Sequence, residues 1–375
     1  MDSGLYKTIT FVCFILIGVF LKGKIKSKDE KSGIKAIILN LALPATIFIA
    51  LLGVKVDWSL VFLPVMALAL NVVLFLIVPY ILPLVGIQKD SPEFRTARLL
   101  IPSLAPGLSC FPFVLEFLGE DALAKVAMAD LGNKIFVLII LYVVAMNWHY
   151  RYRNTTKKNT GKLKSLVRVL VSEPVNIFIV AALVLLIFGF TMDTLPVLFS
   201  DILTKLSLIM TPLVLLFIGL GIKLKRKQFF QVFSMLSMRA GLVFLLSGVF
   251  ILFTGLQSIE SLLLLLAFGL SSCSFWPYAH ISTVEHLEVG DNHKRTFDSD
   301  FALNILALSF PLSTILILGV LNTGTVFVSN INVFLIGGTL LGIGLIYPIL
   351  NGISKKVVLP KVSKSKIERT APEHV

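Results

Sequence analysis

The sequence predicts an all-α polytopic membrane protein, and three observations lead to this fold class. The mean hydropathy of the 375 residues is +0.92, 56% of them are hydrophobic and only 15% are charged. Apolar runs of about 20 residues, the length that a helix needs to cross a bilayer core, recur along the whole chain. The alternating segments of about ten residues that are typical of transmembrane β-barrels are not seen. Each run therefore has to satisfy its own backbone hydrogen bonds as a helix.

Eleven spans are expected, and the basic residues indicate their orientation. The spans are residues 5–21, 34–53, 60–85, 98–118, 123–148, 175–192, 198–222, 231–255, 259–284, 299–321 and 326–352. Of the 34 Lys and Arg residues, 28 follow odd-numbered spans. Because loops rich in Lys and Arg stay in the cytoplasm, we predict a multi-pass protein of the cytoplasmic (plasma) membrane, with the N-terminus outside and the C-terminus inside. The net charge of +13 then reflects orientation rather than nucleic-acid binding.

The chain is expected to contain two repeats joined by a linker. The predicted segments are a first five-helix repeat at 5–148, a cytoplasmic linker at 149–174, a second repeat at 175–322, an additional transmembrane helix at 326–352 and a basic cytoplasmic tail at 357–375. Within the linker, Leu163, Leu166, Val167, Leu170 and Val171 have helical spacing, which predicts a short helix on the inner leaflet.

Three sequence features occur in the same order in both halves. Span 2 reads LNLALPATIFIALLGVK and span 7 reads LSLIMTPLVLLFIGLGIK; spans 4 and 9 contain GLSCFPF and GLSSCSFWPY; spans 5 and 10 contain ADLGN and SDFALN. Because each repeat has an odd number of spans, the two repeats are expected to be inverted, an arrangement found in many secondary transporters. Span 11 lies outside the repeat, and we expect it at the periphery.

Spans 4 and 9 are expected to be broken helices that cross each other near the bilayer midplane. The helix-breaking residues are Pro102, Pro106, Gly107 and Pro112 in span 4, and Gly269 and Pro277 in span 9. Non-helical backbone is tolerated at membrane depth only where it is buried in protein or lines a wet cavity. The half-helix N-termini suit an organic anion, whereas the half-helix C-termini and the freed carbonyls suit a cation.

The candidate site residues follow from this crossing and from polar residues inside spans. The predicted substrate-binding residues are Asn40, Pro106, Gly107, Ser109, Cys110, Ser271, Ser272, Cys273 and Asn304; the predicted coupling residues are Asp130, Asn133 and Lys134. Ionisable groups inside spans are costly, and they are therefore functional candidates. Asp130 and Lys134 are spaced i,i+4, so the pair is either a proton-coupling carboxylate with its partner or a fixed intramembrane ion pair.

Other polar residues are expected near the membrane surfaces. Asp300 is interpreted as a water-facing carboxylate at a helix start. Glu116, Glu260 and His280 are interpreted as residues at span ends. Arg239 lies about two turns into span 8, and we expect it to snorkel to the inner headgroups.

Four segments of the chain resemble one known family. They are LNLALPATIF in span 2, MADLGNKIFV in span 5, EPVNIFIVAALVLLIFGF followed by LP at 173–196, and TPLVLLFIGLGI at 211–222. With these segments in this order, residues 5–322 resemble the auxin efflux carrier family, which includes bacterial organic-acid permeases. The resemblance implies a ten-helix inverted-repeat fold with crossed spans 4 and 9, an elevator-like movement and the transport of organic anions. Span 11 and the stretch SSCSFWPYAH depart from the family pattern.

The sequence therefore predicts a secondary transporter for a small organic anion, driven by protons or by the membrane potential. Sodium coupling, as in the bile acid symporters, is an alternative, because Ser109, Asn133, Ser272 and Asn304 could supply oxygen ligands. A transporter-like membrane sensor is a second alternative. We expect no enzyme activity, since the five His residues are scattered, and no cofactor, metal or ATPase motif. The expected partners are the organic anion, the lipid bilayer and, by analogy with related folds, a second copy of the chain.

Overall fold

The computed structural model describes residues 3–53, 58–153, 168, 171–172, 174–221, 228–255, 258–288 and 295–357. In the first half the helices are α1 (Ser3–Leu21), α2 (Lys28–Ile37), α3 (Leu43–Gly53), α4 (Trp58–Ile81), α5 (Pro92–Leu100), α6 (Pro106–Ser109), α7 (Phe111–Leu118), α8 (Glu120–Ile135) and α9 (Leu141–Arg153). In the second half they are α10 (Pro174–Ile187), α11 (Val197–Leu208), α12 (Met210–Gly221), α13 (Phe229–Thr254), α14 (Ile259–Gly269), α15 (Trp276–Leu287), α16 (Ser299–Asn322) and α17 (Asn330–Val357).

The predicted fold class is confirmed, because the described residues form helices and no strand. Seven helices of the described part are long and apolar enough to cross a bilayer, and three shorter apolar helices accompany them. Helices lie in each of the eleven predicted spans. The last helix continues to Val357, and α9 continues to Arg153, each a few residues past its predicted end. The predicted leaflet helix near residues 163–171 and the predicted tail at 357–375 fall almost entirely outside the described residues.

Spans 4 and 9 are interrupted, as their Pro and Gly residues predict. In span 4 the chain leaves the helix after Leu100 and returns to regular helix at Phe111, with the one-turn α6 between. In span 9 it leaves the helix after Gly269 and returns at Trp276. Both α7 and α15 carry a Pro in their first turn, where the missing N–H has no helical partner to lose.

Spans 2 and 5 contain wider turns of helix that the sequence analysis did not predict. One π-helical turn spans Ile38–Ala42 in span 2, and another spans Phe136–Ile140 in span 5. In span 2 this turn directly precedes Pro44, whose ring removes the backbone hydrogen bond that would otherwise reach the carbonyl of Asn40. The proline thus explains the local widening of the helix at Asn40.

Three helix pairs approach so closely that a side chain larger than hydrogen would not fit. A Cβ on Gly132 of α8 would overlap the backbone carbonyl of Pro64 in α4. A Cβ on Gly18 of α1 would overlap the backbone of α12, and a Cβ on Gly241 of α13 would lie 2.7 Å from the carbonyl oxygen of Gly337 in α17. Small residues at such contacts are typical of helix association in membranes, where dispersion contacts replace the hydrophobic effect.

These contacts divide the helices into two groups that meet at the interrupted segments. In the first group α1 packs on α12, and α3 packs on α10 and α11. In the second group α4 packs on α8, α5 on α16, α9 on α15, and α13 on α14, α16 and α17. Helices α3, α7 and α12 also contact members of the second group or the interrupted span 4. Most residues of the two breaks are buried in the interior of the fold.

The Gly132 contact makes a prediction about stability. We expect Gly132→Ala to lower the free energy of unfolding by about 1–3 kcal/mol, because the new methyl group forces α4 and α8 apart. Gly338→Ala on α17 is the matched control, since nothing lies within 4 Å of the position that its Cβ would take. Thermal unfolding in detergent measures both variants. A Gly132→Ala protein that is as stable as the Gly338→Ala protein would contradict the close packing of α4 on α8.

Candidate functional site

The two interrupted segments hydrogen-bond directly to each other. The backbone N–H of Ala105 donates to the carbonyl of Ser272 over 2.8 Å. In return, the N–H of Ser272 donates to Oγ of Ser109 over 2.9 Å, and the N–H of Ser274 donates to Oγ of Ser103 over 3.0 Å. We call this arrangement of residues 101–110 and 270–275 the crossover. It supplies partners for backbone groups that the breaks remove from their own helices.

The serine hydroxyls of the crossover also bond within their own segments. Ser109 Oγ donates to the carbonyl of Ala105 over 2.8 Å, and Ser103 Oγ donates to the carbonyl of Leu100 over 2.6 Å. On the other side, the N–H of Cys273 donates to Oγ of Ser309 in α16 over 3.2 Å. Each of these hydroxyls therefore donates one hydrogen bond and accepts another, as a buried hydroxyl should.

The structure brings most of the predicted substrate-binding residues together, but not all of them. Those at the crossover are Pro106, Gly107, Ser109, Cys110, Ser271, Ser272 and Cys273, and all but the half-buried Gly107 are buried. Asn40 lies on the π-helical turn of span 2 and is exposed.

Asn304 does not share the face of α16 that meets the crossover. Five residues separate Asn304 from Ser309, which corresponds to about 140° around a helix of 3.6 residues per turn. Its side-chain amide instead donates to Oε1 of Gln228, just before α13, over 3.1 Å. The structure therefore does not bring Asn304 to the crossover, because its position around the helix points it elsewhere.

The predicted coupling residues form a buried polar network beside the crossover. Lys134 Nζ lies 3.6 Å from Asp130 Oδ2, which confirms the predicted i,i+4 pair, and both side chains are less than 10% exposed. Asn133 Nδ2 donates to Asp130 Oδ1 over 2.8 Å and to the carbonyl of Leu104 over 3.0 Å. The N–H of Leu104 donates back to Asn133 Oδ1 over 3.3 Å. Asn133 thus links the ion pair to the backbone of the broken span 4.

Two asparagines that sequence analysis missed complete this network. Asn71 Nδ2 of α4 donates to Asn133 Oδ1 over 3.0 Å, and Lys134 Nζ donates to Asn176 Oδ1 of α10 over 2.9 Å. Both asparagines are buried. A polar side chain within an apolar run is the one signal in the sequence that could have identified them, since an amide at membrane depth needs a partner in another helix.

Arg239 does not snorkel to the inner headgroups, so this prediction is wrong. It lies ten residues after the start of α13, about 15 Å along the helix axis, and its side chain is buried with an exposed fraction of 4%. Its Nη2 donates to the carbonyl of Ser271 over 2.7 Å and makes longer contacts of 3.5 Å with the carbonyls of Gly269 and Ser103. The guanidinium therefore belongs to the crossover. The position of Arg239 in the sequence indicated how far along α13 it lies, but not whether its side chain faces the protein interior or the lipid.

A small cavity adjoins the guanidinium of Arg239. Arg239, Ser309 and Ser313 supply its polar lining, and it is about large enough for one water molecule. Among the described residues, Nε of Arg239 is buried and has no hydrogen-bond partner. The cavity thus lies where one donor of the guanidinium is unused.

Three further polar residues, which were expected near span ends, differ in their exposure. Glu116 and Glu260 lie at exposed ends of helices, where they pair with Lys7 and Lys125 at 3.8 and 3.1 Å. His280, in contrast, is buried, with Nε2 2.8 Å from the carbonyl oxygen of Val137. Within the described ranges, no group of three His, Cys, Asp or Glu side chains could hold a metal ion.

Comparison with known proteins relates the chain to a protein that is named as a transporter. No family model matches the sequence. A stretch of 220 residues is 26% identical to a protein named as an uncharacterized transporter of Methanocaldococcus jannaschii, and it covers 57% of this chain and 68% of that protein. The resemblance to the auxin efflux carrier family stays a prediction beside this finding.

The position of Asn133 makes a second prediction. We expect Asn133→Ala to lower the free energy of unfolding by about 2 kcal/mol or more, because it leaves the backbone of Leu104 without its partner inside the protein. Asn40→Ala is the matched control; its side chain is exposed, and we expect a change within about 0.5 kcal/mol. Thermal unfolding in detergent measures the difference. Equal stability of the two variants would show that the amide of Asn133 does not support the broken span.

Proposed function

We propose that this protein is a secondary active transporter that moves a small organic anion across the cytoplasmic membrane. A membrane transporter is the class that the multi-helix apolar architecture and the similarity to a protein named as a transporter support. The substrate class comes from the crossover and from the resemblance to the auxin efflux carrier family. The hydrogen-bonded crossover of two broken helices in the protein interior is the observation that carries the proposal.

The crossover brings helix ends of both signs into one region. Helices α7 and α15 begin there, and α5 and α14 end there. A helix N-terminus carries about half a positive charge and a C-terminus about half a negative charge. In transporters with discontinuous helices, the N-terminal ends face anionic groups of the substrate, whereas unwound carbonyls and C-terminal ends face cations. The beginnings of α7 and α15 are therefore the proposed place for the carboxylate of the substrate.

Alternating access would move one helix group against the other, as in an elevator. The packing of span 1 on span 7 and of span 2 on span 6 is the pattern that an exchange of two five-span repeats produces, and it supports the inverted repeat. These four spans would form the static group, and the second group would carry the crossover. Span 11 would travel with the second group, because α17 packs along α13.

Asp130 is the proposed proton-coupling group. Its ion pair with Lys134 lies within α8 and would move as a unit, whereas the bond from Lys134 to Asn176 joins α8 to α10 of the other group. A proton on Asp130 would remove the negative partner of Lys134 and leave the ammonium more dependent on Asn176. Protonation of Asp130 and the contact between the two helix groups are then linked through Lys134. If no proton moves, the membrane potential or a sodium gradient is the driving force for the anion.

Proton coupling is tested by internal pH in proteoliposomes that are challenged with dicarboxylates and aromatic acids. We expect at least one acid to move protons with the wild type and with Asp121→Asn, but not with Asp130→Asn. Asp121 is the matched control because it is an exposed Asp on the same helix. An acid that is transported equally by Asp130→Asn and without proton flux would make Asp130 structural and would leave sodium or the membrane potential as the driver. Failure of the wild type to transport any of the acids would contradict the transporter function.

Membrane topology makes a separate prediction. The distribution of Lys and Arg predicts an N-terminus outside and a C-terminus in the cytoplasm. We expect a green fluorescent protein fused to the C-terminus to fluoresce, and alkaline phosphatase fused at the same place to be inactive. A fusion after Gly255, which follows span 8, should give the opposite result for both reporters. The reverse pattern at either site would contradict the predicted orientation.

A further inference from the structure

The crossover contains a cation that the mechanism above does not use. Helices α5 and α14 end at the crossover, and the last carbonyls of a helix have no partner within it. Arg239 lies against the unwound segments that follow both ends, with its Nη2 2.7 Å from the carbonyl oxygen of Ser271 and 3.5 Å from those of Ser103 and of Gly269, the last residue of α14. Its Nη1 also lies 3.8 Å from Sγ of Cys273. One guanidinium therefore bridges the ends of the first halves of both broken spans.

The guanidinium of Arg239 nearly balances the charges of these two helix ends. Two helix C-termini together carry about one negative charge, and the guanidinium carries one positive charge. Among the described residues, no carboxylate forms an ion pair with Arg239, so the helix ends and carbonyl dipoles are its main compensation. A charged side chain buried at membrane depth is costly without such compensation. The carbonyl oxygens need Arg239 in turn, because each buried carbonyl oxygen requires a hydrogen-bond donor or a cation.

We propose that Arg239 is a resident cation of the crossover, which occupies the place where an exchangeable coupling cation would otherwise bind. Freed carbonyls and half-helix C-termini are the groups that coordinate sodium in transporters with broken helices. Here a tethered guanidinium takes those oxygen ligands and stays bound through the whole cycle. The transport cycle then does not require sodium. This last consequence rests on the proposed transporter function, whereas the occupancy of the site by Arg239 does not.

Whether the Arg239 guanidinium fills this cation site is tested by chemical rescue of an Arg239 variant of the full-length protein in detergent. We expect Arg239→Ala to lower the melting temperature by several degrees, and methylguanidinium at tens of millimolar to restore at least half of the loss. Methylurea, which has a similar shape but no charge, should not restore it. The restored stability follows from binding to the folded state only. Equal rescue by methylurea, or no loss of stability in Arg239→Ala, would overturn the proposal.

Met238→Ala is the matched control for a loss of volume. Met238 is a long, buried side chain on the same helix, and its replacement should lower the melting temperature without rescue by methylguanidinium.

If Arg239→Ala does not fold, Arg239→Lys and Arg239→Met replace it in the comparison. We expect the Lys variant, which keeps the positive charge, to melt at a higher temperature than the Met variant. The opposite order would overturn the proposal.

The sodium arm uses proteoliposomes and the acid that the pH assay identifies. We expect the flux of the wild type to stay within about twofold when choline replaces sodium. A fall of tenfold or more would show that an exchangeable sodium ion still drives the cycle and would overturn the sodium independence. If the wild type transports none of the acids, the proposed transporter function fails, while the rescue of Arg239→Ala still decides whether Arg239 is a resident cation.

Discussion

Backbone groups in apolar surroundings must find partners inside the protein, and the rest of this structure follows from how two broken helices meet that demand. Lipid tails offer them no hydrogen bonds. The partners come from the opposite break, through Ala105 and Ser272, and from hydroxyls such as those of Ser103 and Ser109. The two breaks satisfy each other, and this explains why the chain contains two of them at corresponding places.

The ionic groups of the interior fit the same constraint. Asp130 and Lys134 are held as a pair, and Asn133 ties the pair to the backbone of span 4. Arg239 lies instead against carbonyl oxygens at helix ends. Around the crossover, the described residues therefore include a neutralised pair and a cation that is balanced by helix dipoles.

Local chemistry explains which features could be predicted from the sequence. Proline and glycine act on their own turn of helix, so the interruptions of spans 4 and 9 could be read directly, and i,i+4 spacing identified the pair of Asp130 and Lys134. The contacts of Arg239 could not be predicted from the sequence, because they depend on how α13 is rotated against spans that are distant in sequence. Asn71 and Asn176 were missed for the same reason. The neighbours of Asn304 could not be predicted either, because they depend on how α16 is rotated against the helices around it.

The reciprocal bonding of the crossover also has a consequence for biosynthesis. The backbone N–H of Ala105 obtains its partner from Ser272, and the hydroxyls of Ser103 and Ser109 obtain theirs from residues 272–274, which leave the ribosome about 170 residues later. At synthesis rates of about 5–20 residues per second, this delay is on the order of ten seconds or more. During that time span 4 cannot settle as a finished membrane helix. Its break must stay near water or within the insertion machinery until the second half arrives, so the two halves of the chain complete their folding together.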